Sequence, residues 1–326
     1  MLTTKDKVLE ILEINKGKHV SGSKIADRLD VSRNSIWKAI KQLQEDGHNI
    51  TAITNKGYCL EADNDILSCQ STKKFLNSNI FDINVYKVVD STNSMLKVEA
   101  ESGALEGKVI IAEHQTKGRG RRGKTFFSPE STGIYMSLLL RPKLSAYESL
   151  SITTCAAVAV AKAIELNSDK QAQIKWVNDI FVDTRKVSGI LTEASIDLEG
   201  GGLKYAILGI GINVFTPKEG FPEELADIST SIFGKDSYQS DYRSKLVADI
   251  LEIFMDYYKN IEEKPFLEEY KNRSMILNKE INVITDPDNI RKAVALDIDE
   301  NFHLKVRYEN GEIKYLNSGE VSIIKI

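Results

Sequence analysis

The chain has 326 residues, 42% of them hydrophobic and 28% charged, and a formal net charge of −4. This is globular material long enough for two or three domains with sizeable cores. No signal-peptide core opens it and no apolar run approaches the roughly 20 residues of a bilayer span, so a cytoplasmic protein without membrane contact is expected. Three scattered cysteines, Cys59, Cys69 and Cys155, and four histidines in unrelated contexts argue against a zinc site, a disulfide framework or a histidine-based triad.

The first 62 residues hold ten Lys and Arg against eight Asp and Glu, a mild basic bias in an otherwise acidic chain that hints at an acidic partner. Val8, Leu9, Ile11 and Leu12 form a helical stripe ended by Gly17. Ser21 or Ser23 caps a second helix with Ile25, Ala26 and Leu29 inside, and after the turn Asp30-Val31-Ser32 a third helix runs from Arg33 to about Glu45, capped by Ser32. Two short helices across so tight a turn predict a helix-turn-helix. Ser21, Ser23, Ser32, Arg33, Asn34, Ser35, Lys38 and Lys41 then supply donors for phosphates and base edges. Ile50–Thr54 and Tyr58–Leu60 flank Asn55-Lys56-Gly57, a hairpin whose tip puts Lys56 on a wing. A small protein-binding module would show the same outline.

The pattern lapses at residues 62–68, which sets domain limits of 1–62, 66–274 and 275–326. Ile83–Val89 alternates as a strand, and Asp90-Ser91-Thr92-Asn93-Ser94 caps a helix expected near Met95, with hydroxyls and amides that can hold a polar ligand as well as cap. An apolar strand at Val109–Ala112 leads into Gln115-Thr116-Lys117-Gly118-Arg119-Gly120-Arg121-Arg122-Gly123-Lys124. Glycines bring backbone N–H groups close to a ligand, and arginines offer planar charged forks, so the stretch reads as an anion grip on a loop. A basic surface loop is the alternative. A strand at Ile134–Leu140 and an alanine-rich helix from Ser149 to about Ile164 follow. Next, Lys175, Trp176, Asn178 and Asp179 interrupt an apolar run in a way a core strand tolerates only with a role. Lys186 opens another apolar strand beside Gly189, and Gly209, Gly211 and Asn213 lie in a buried strand, Ala206–Val214, whose glycines permit close approach of a ligand. Helices are expected at Asp241–Tyr258 and Pro265–Ser274. Five short strands from Ile281 to Ile324 predict a small β-barrel. The fold class is therefore α+β: a winged helix, a mixed α/β body and a barrel.

In this order the stretches Asp90–Asn93, Glu113–Gly123, Lys175–Asp179, Arg185–Leu191 and Gly209–Asn213 resemble the bifunctional biotin protein ligases that also repress biotin genes. Val177 stands where that family commonly has proline, and Phe126 where it often has tryptophan. The resemblance implies a class II synthetase-like catalytic domain with an SH3-like barrel. It also implies activation of biotin by ATP and Mg²⁺ to biotinoyl-AMP, then transfer to a lysine of the biotin carboxyl carrier protein of acetyl-CoA carboxylase. By the same resemblance Lys186, Arg119 and Arg121 are catalytic, and Ser91, Thr92, Asn93, Gln115, Gly120, Trp176, Gly189 and Gly209 join them around biotin. Arg121, Phe126, Asn178, Gly211 and Asn213 would face the nucleotide, and Asp179 the Mg²⁺. A homodimer formed on making biotinoyl-AMP would bind operator DNA. A lipoate or octanoate ligase, a non-catalytic biotin sensor and a monofunctional ligase with a vestigial head are the rival readings.

Overall fold

A computed structural model describes residues 3–63, 65–197, 201–235, 237, 239–286, 289–317 and 319–323. The chain forms two compact units, Met1–Asn79 with Ser237–Asp249, and Ile80–Asp236 with Ile250–Ile326.

In the first unit the apolar stripes become α1 (Thr4–Ile14), α2 (Gly22–Leu29) and α3 (Arg33–Glu45), followed by the hairpin strands β1 (Ile50–Ile53) and β2 (Gly57–Leu60). Thr3 and Asp6 close a capping box on α1, and the Ser32 hydroxyl accepts from the Ser35 N–H to start α3, which satisfies donors that a helix start leaves open. Ser21 occupies the cap position of α2 without a side-chain hydrogen bond. Val8, Leu12, Ile25, Ile36, Ile40 and Leu43 form one core, with Val31 from the turn packed against it. Gly57 lets the wing cross the chain at Val20, where a Cβ would stand 2.1 Å from the carbonyl oxygen. The unit also takes in α4 (Cys69–Lys73), a short helix with no sequence expectation. Asn64, in the expected boundary, lies outside the described residues.

The second unit is built on a seven-stranded sheet. In chain order its strands are β3 (Asp82–Val89), β4 (Lys108–Gln115), β5 (Gly133–Leu140), β6 (Gln173–Lys175), β7 (Asp179–Val182), β8 (Arg185–Ile196) and β9 (Leu203–Asn213). Across the sheet they run β3-β4-β5-β9-β8-β7-β6, with only the β3–β4 pair parallel. The helix α5 (Thr92–Glu101) makes the β3-to-β4 crossover. It starts earlier than Met95 because Ser91 accepts from the Ser94 N–H, which puts Thr92 and Asn93 in its first turn. The helix α6 (Ser149–Asn167) buries nearly its whole length. Contrary to the sequence expectation, the segment Ala146–Asn167 is long and apolar enough to cross a membrane by length and composition. Its alanines pack inside the body instead, as a helix apolar on every face does in a core.

Beyond the sheet come α7 (Glu223–Ala226), α8 (Tyr242–Tyr258) and α9 (Leu267–Asn272). Five antiparallel strands close the chain: β10 (Glu280–Asp286), β11 (Asn289–Ile298), β12 (Leu304–Tyr308), β13 (Ile313–Leu316) and β14 (Glu320–Ile323), in the order β13-β12-β11-β10-β14. Ile324, placed in the last strand from sequence, lies outside the described residues.

Candidate active site

The sheet's geometry explains why distant stretches converge. In β5, β9 and β8 the pairings Tyr135↔Gly211 and Gly189↔Gly211 align two glycines and an aromatic across three neighbouring strands. The loop after β4 folds over this patch. Gly118 accepts from the Phe126 N–H through its carbonyl, Arg119 pairs with Thr125, and Gly120 donates to the Lys124 carbonyl at 2.7 Å. A Cβ at Gly118 would meet the Phe126 carbonyl oxygen at 2.3 Å, so the turn requires glycine there. Phe126 packs edge-on to Tyr135 and covers Gly211, where a Cβ would fall 2.6 Å from its ring.

A cavity of about 910 Å³ opens here, bordered by every residue expected around biotin, nucleotide or Mg²⁺. At the upper end of the range for small-molecule sites, it has room for two ligands side by side. Hydrogen bonds tie much of its polar wall together. The Thr92 N–H donates to Gln115 Oε1 at 2.9 Å, and Gln115 donates to Ser128 Oγ at 3.0 Å. Asn93 donates to Glu193 at 2.9 Å and Arg119 pairs with the same carboxylate at 2.9 Å. On the far side Arg121 donates to Asn178 Oδ1 at 2.8 Å, and Asn178 donates to Asp179 at 2.9 Å.

Lys186 is fixed from both directions. Its N–H donates to the Ile228 carbonyl and its own carbonyl accepts from the Thr230 N–H, while its Nζ pairs with Asp179 at 2.7 Å. Asn213 donates to the Thr230 carbonyl at 3.1 Å, which ties the end of β9 to the same segment. Trp176 is buried and its indole N–H donates to the Phe302 carbonyl at 2.9 Å, so it braces the cavity wall against the C-terminal strands. Asp179, expected to face Mg²⁺, has Lys186 and Asn178 as partners. Among the described residues no three His, Cys, Asp or Glu side chains gather into a metal site.

Four contributors went unnoticed in sequence. Ser137, the one polar residue of β5, lies 2.6 Å from Asn93 Oδ1 and 2.7 Å from Thr92 Oγ1. A lone serine in an apolar run was a usable signal. Glu193 in β8 was another. Lys279 and Ser322 reach the cavity from the C-terminal strands, and no local pattern marks them.

The DNA-facing candidates lie in the other unit. Arg33, Asn34, Lys38 and Lys41 are exposed along α3 and Lys56 is exposed at the wing tip, whereas Ser35 is half-buried against its cap and Ser21 and Ser23 are half-buried. Trp37, 47% exposed, stands beside Lys41 with the ammonium 4.7 Å from its ring.

Fold and site together define an anion-gripping ligase body that carries a winged helix. Comparison with known proteins agrees. Residues 85–213 match the biotin/lipoate A/B protein ligase family, residues 4–59 an HTH domain and residues 276–323 the biotin protein ligase C terminal domain. The bifunctional ligase/repressor BirA of Bacillus spizizenii is 35% identical over 79% of each chain, and that of Escherichia coli 26% identical over 94% of each. The biotin protein ligase of Aquifex aeolicus, solved with biotin and ATP, superposes with a TM-score of 0.61 at 28% identity over 75% of this chain and 99% of its own. The chain belongs to the biotin protein ligase family, with the domain make-up of its bifunctional ligase/repressors.

Proposed function

We propose that the protein joins biotin to a lysine of a biotin carboxyl carrier protein at the expense of ATP, and represses biotin genes through its winged helix. The observation that carries the reading is the single cavity in which the β4–β5 loop, the first turn of α5, the 175–179 stretch and Lys186 meet.

The chemistry assigns the work. A carboxylate cannot acylate an amine until its oxygen is made a leaving group. Biotin's carboxylate therefore attacks the α-phosphorus of ATP, pyrophosphate leaves and biotinoyl-AMP forms. The acceptor's ε-amine then attacks the carbonyl carbon, and AMP departs with the C–O bond electrons. Negative charge concentrates on phosphate and carbonyl oxygens in both steps, where fixed cationic donors act most strongly. Lys186 takes the position between carboxylate and α-phosphate, with Arg119 and Arg121 gripping the anionic oxygens. Ser91, Thr92, Asn93 and Gln115 receive the ureido end of biotin, while Gly120, Gly189 and Gly209 leave room beside it and Trp176 backs the ring. Phe126, Gly211, Asn178 and Asn213 accommodate the nucleotide. Asp179 would be the protein oxygen for a Mg²⁺ carried in on the phosphates. When bound, the ion would neutralise the departing pyrophosphate. Closure of the glycine-rich loop over the adenylate keeps out water that would hydrolyse it.

Homodimerisation on forming biotinoyl-AMP would present two winged helices to a two-fold operator, in the cytoplasm. The functional division follows residues 1–62, 66–274 and 275–326. The test is biotin-dependent exchange of labelled pyrophosphate into ATP by purified protein. Exchange with biotin and none with lipoate or octanoate is the expected result. Exchange with lipoate alone would make it a ligase for another acid, and none at all would leave a sensor.

A further inference from the structure

A carboxylate that no motif singled out sits where two parts of the cavity wall meet. Glu193 presents Oε1 to the Arg119 guanidinium at 2.9 Å and Oε2 to the Asn93 amide at 2.9 Å. Asn93 is held in that orientation. The fully buried Ser137 hydroxyl lies 2.6 Å from its Oδ1, and Gly209 approaches so closely that a Cβ would fall 2.2 Å from that oxygen. From Ser137 the polar contacts continue to Thr92, then Gln115, then Ser128, whose hydroxyl donates to the Phe126 carbonyl. Arg119 and Phe126 belong to one loop, so a chain of hydrogen bonds that leaves the loop at Arg119 returns to it at Phe126.

We infer that Glu193 is a positioning residue that competes with the substrate's anionic oxygens for Arg119. The inference rests on the reading of this cavity as a biotin site. Two features support exchange. Arg119 is 45% and Glu193 31% exposed at the side chain, so water screens the pair and holds it weakly. The guanidinium fork can grip a ligand carboxylate or phosphate by two parallel hydrogen bonds, whereas Glu193 gives it one oxygen and commits the other to Asn93. Binding of the anion therefore includes trading one carboxylate for another at Arg119. Asn93 keeps its partner throughout, and the polar wall stays ordered while the loop changes hands.

The experiment is calorimetric titration of the full-length protein with biotin, beside pyrophosphate-exchange kinetics, for wild type, Glu193→Gln, Arg119→Ala and the double variant. Glutamine still accepts from Asn93 but gives up the charge that holds Arg119. Biotin should bind Glu193→Gln about three- to tenfold more tightly, with KM lowered by the same factor and kcat within about twofold. Adding Glu193→Gln to Arg119→Ala should bring no tightening. Unchanged affinity in Glu193→Gln, or an equal change in both backgrounds, overturns the inference. Should Glu193→Gln melt well below wild type, Glu193→Asp takes its place, since it keeps the charge but withdraws it by one methylene; tightening that depends on Arg119 is again required. Wild-type protein that neither binds biotin nor exchanges pyrophosphate with it would instead overturn the biotin reading.

Discussion

Lys186 shows how much positioning a single charged side chain demands. Its backbone is hydrogen-bonded on both sides to the 228–230 segment and its ammonium rests on Asp179, so in the proposed reaction the cation would be aimed before any reacting group meets it. An ammonium placed in advance stabilises developing charge without reorganising at the moment of reaction. Lys186→Ala should accordingly lower biotin-dependent pyrophosphate exchange by about two to three orders of magnitude, the usual cost of removing one such donor. The fold should be untouched, because the backbone bonds remain. Exchange kinetics and a thermal melt measure the two together. A loss confined to biotin affinity, with turnover unchanged, would make Lys186 a binding residue only. A pure sensor would keep its DNA response in this variant.

At the scale of elements, the segment after the wing does more than connect. Arg243 and Asp65 form a buried ion pair, Nε to Oδ2 at 2.8 Å, and the guanidinium also donates to the Asp65 carbonyl at 2.6 Å. Ser71 and Ser244 hydroxyls meet at 2.8 Å, and Lys74 pairs with Asp241. The linker, α4 and the start of α8 are thus clamped within the first unit. Removing one member of a buried pair leaves the other charge uncompensated, so Arg243→Met should destabilise this unit by about 3–5 kcal/mol, and Asp65→Asn added to it should recover part of the loss, as read by urea unfolding. This clamp was not legible in the chain. Its partners are 178 residues apart, and residues 62–68 looked like a boundary because apolar periodicity stops there while ion pairing leaves no periodic trace. The glycine-arginine loop and the 175–179 stretch were legible for the converse reason, since glycines and charges inside apolar runs violate the local pattern. Ser137 and Glu193 each supply only one such violation. His48 adds a pH dependence to the same unit. Burial pushes its imidazole down to about 4, Asp46 opposes that shift, and Lys5 and Lys16 assist it. Because the folded value lies below the unfolded value of about 6.5, the unfolded chain takes up the proton first as pH falls. Stability is full above about pH 6.5 and declines towards pH 4, by about 3 kcal/mol at most. Hydrogen exchange of α1–α3 in the full-length protein should show that decline, and His48→Leu should flatten it.

For the whole molecule the open question is how many charges the head places on DNA, and the salt dependence of binding answers it. Arg33, Lys38 and Lys41 on α3 and Lys56 on the wing are exposed cations, and the chain as a whole is acidic, so general electrostatic attraction does not account for the proposed DNA binding, and these local cations are the contacts to test. Each phosphate neutralised releases condensed counterions, which gives a slope of about −0.9 in log K against log salt. Replacing one of the four cations by alanine should therefore weaken binding to any duplex and reduce the slope by about one. Asn34 offers an amide suited to adenine edges, and its replacement should lower affinity for the preferred sequence while leaving the slope unchanged. Fluorescence anisotropy with a labelled duplex, between low and physiological salt, separates the two. The same titration with biotin and ATP present tests whether chemistry in the cavity reaches the head. If the adenylate drives dimerisation, two heads engage together, so the slope should roughly double and the affinity should rise by about two orders of magnitude or more. A higher affinity at an unchanged slope would mean that one head binds better, and that the dimer is not the link between ligation and repression.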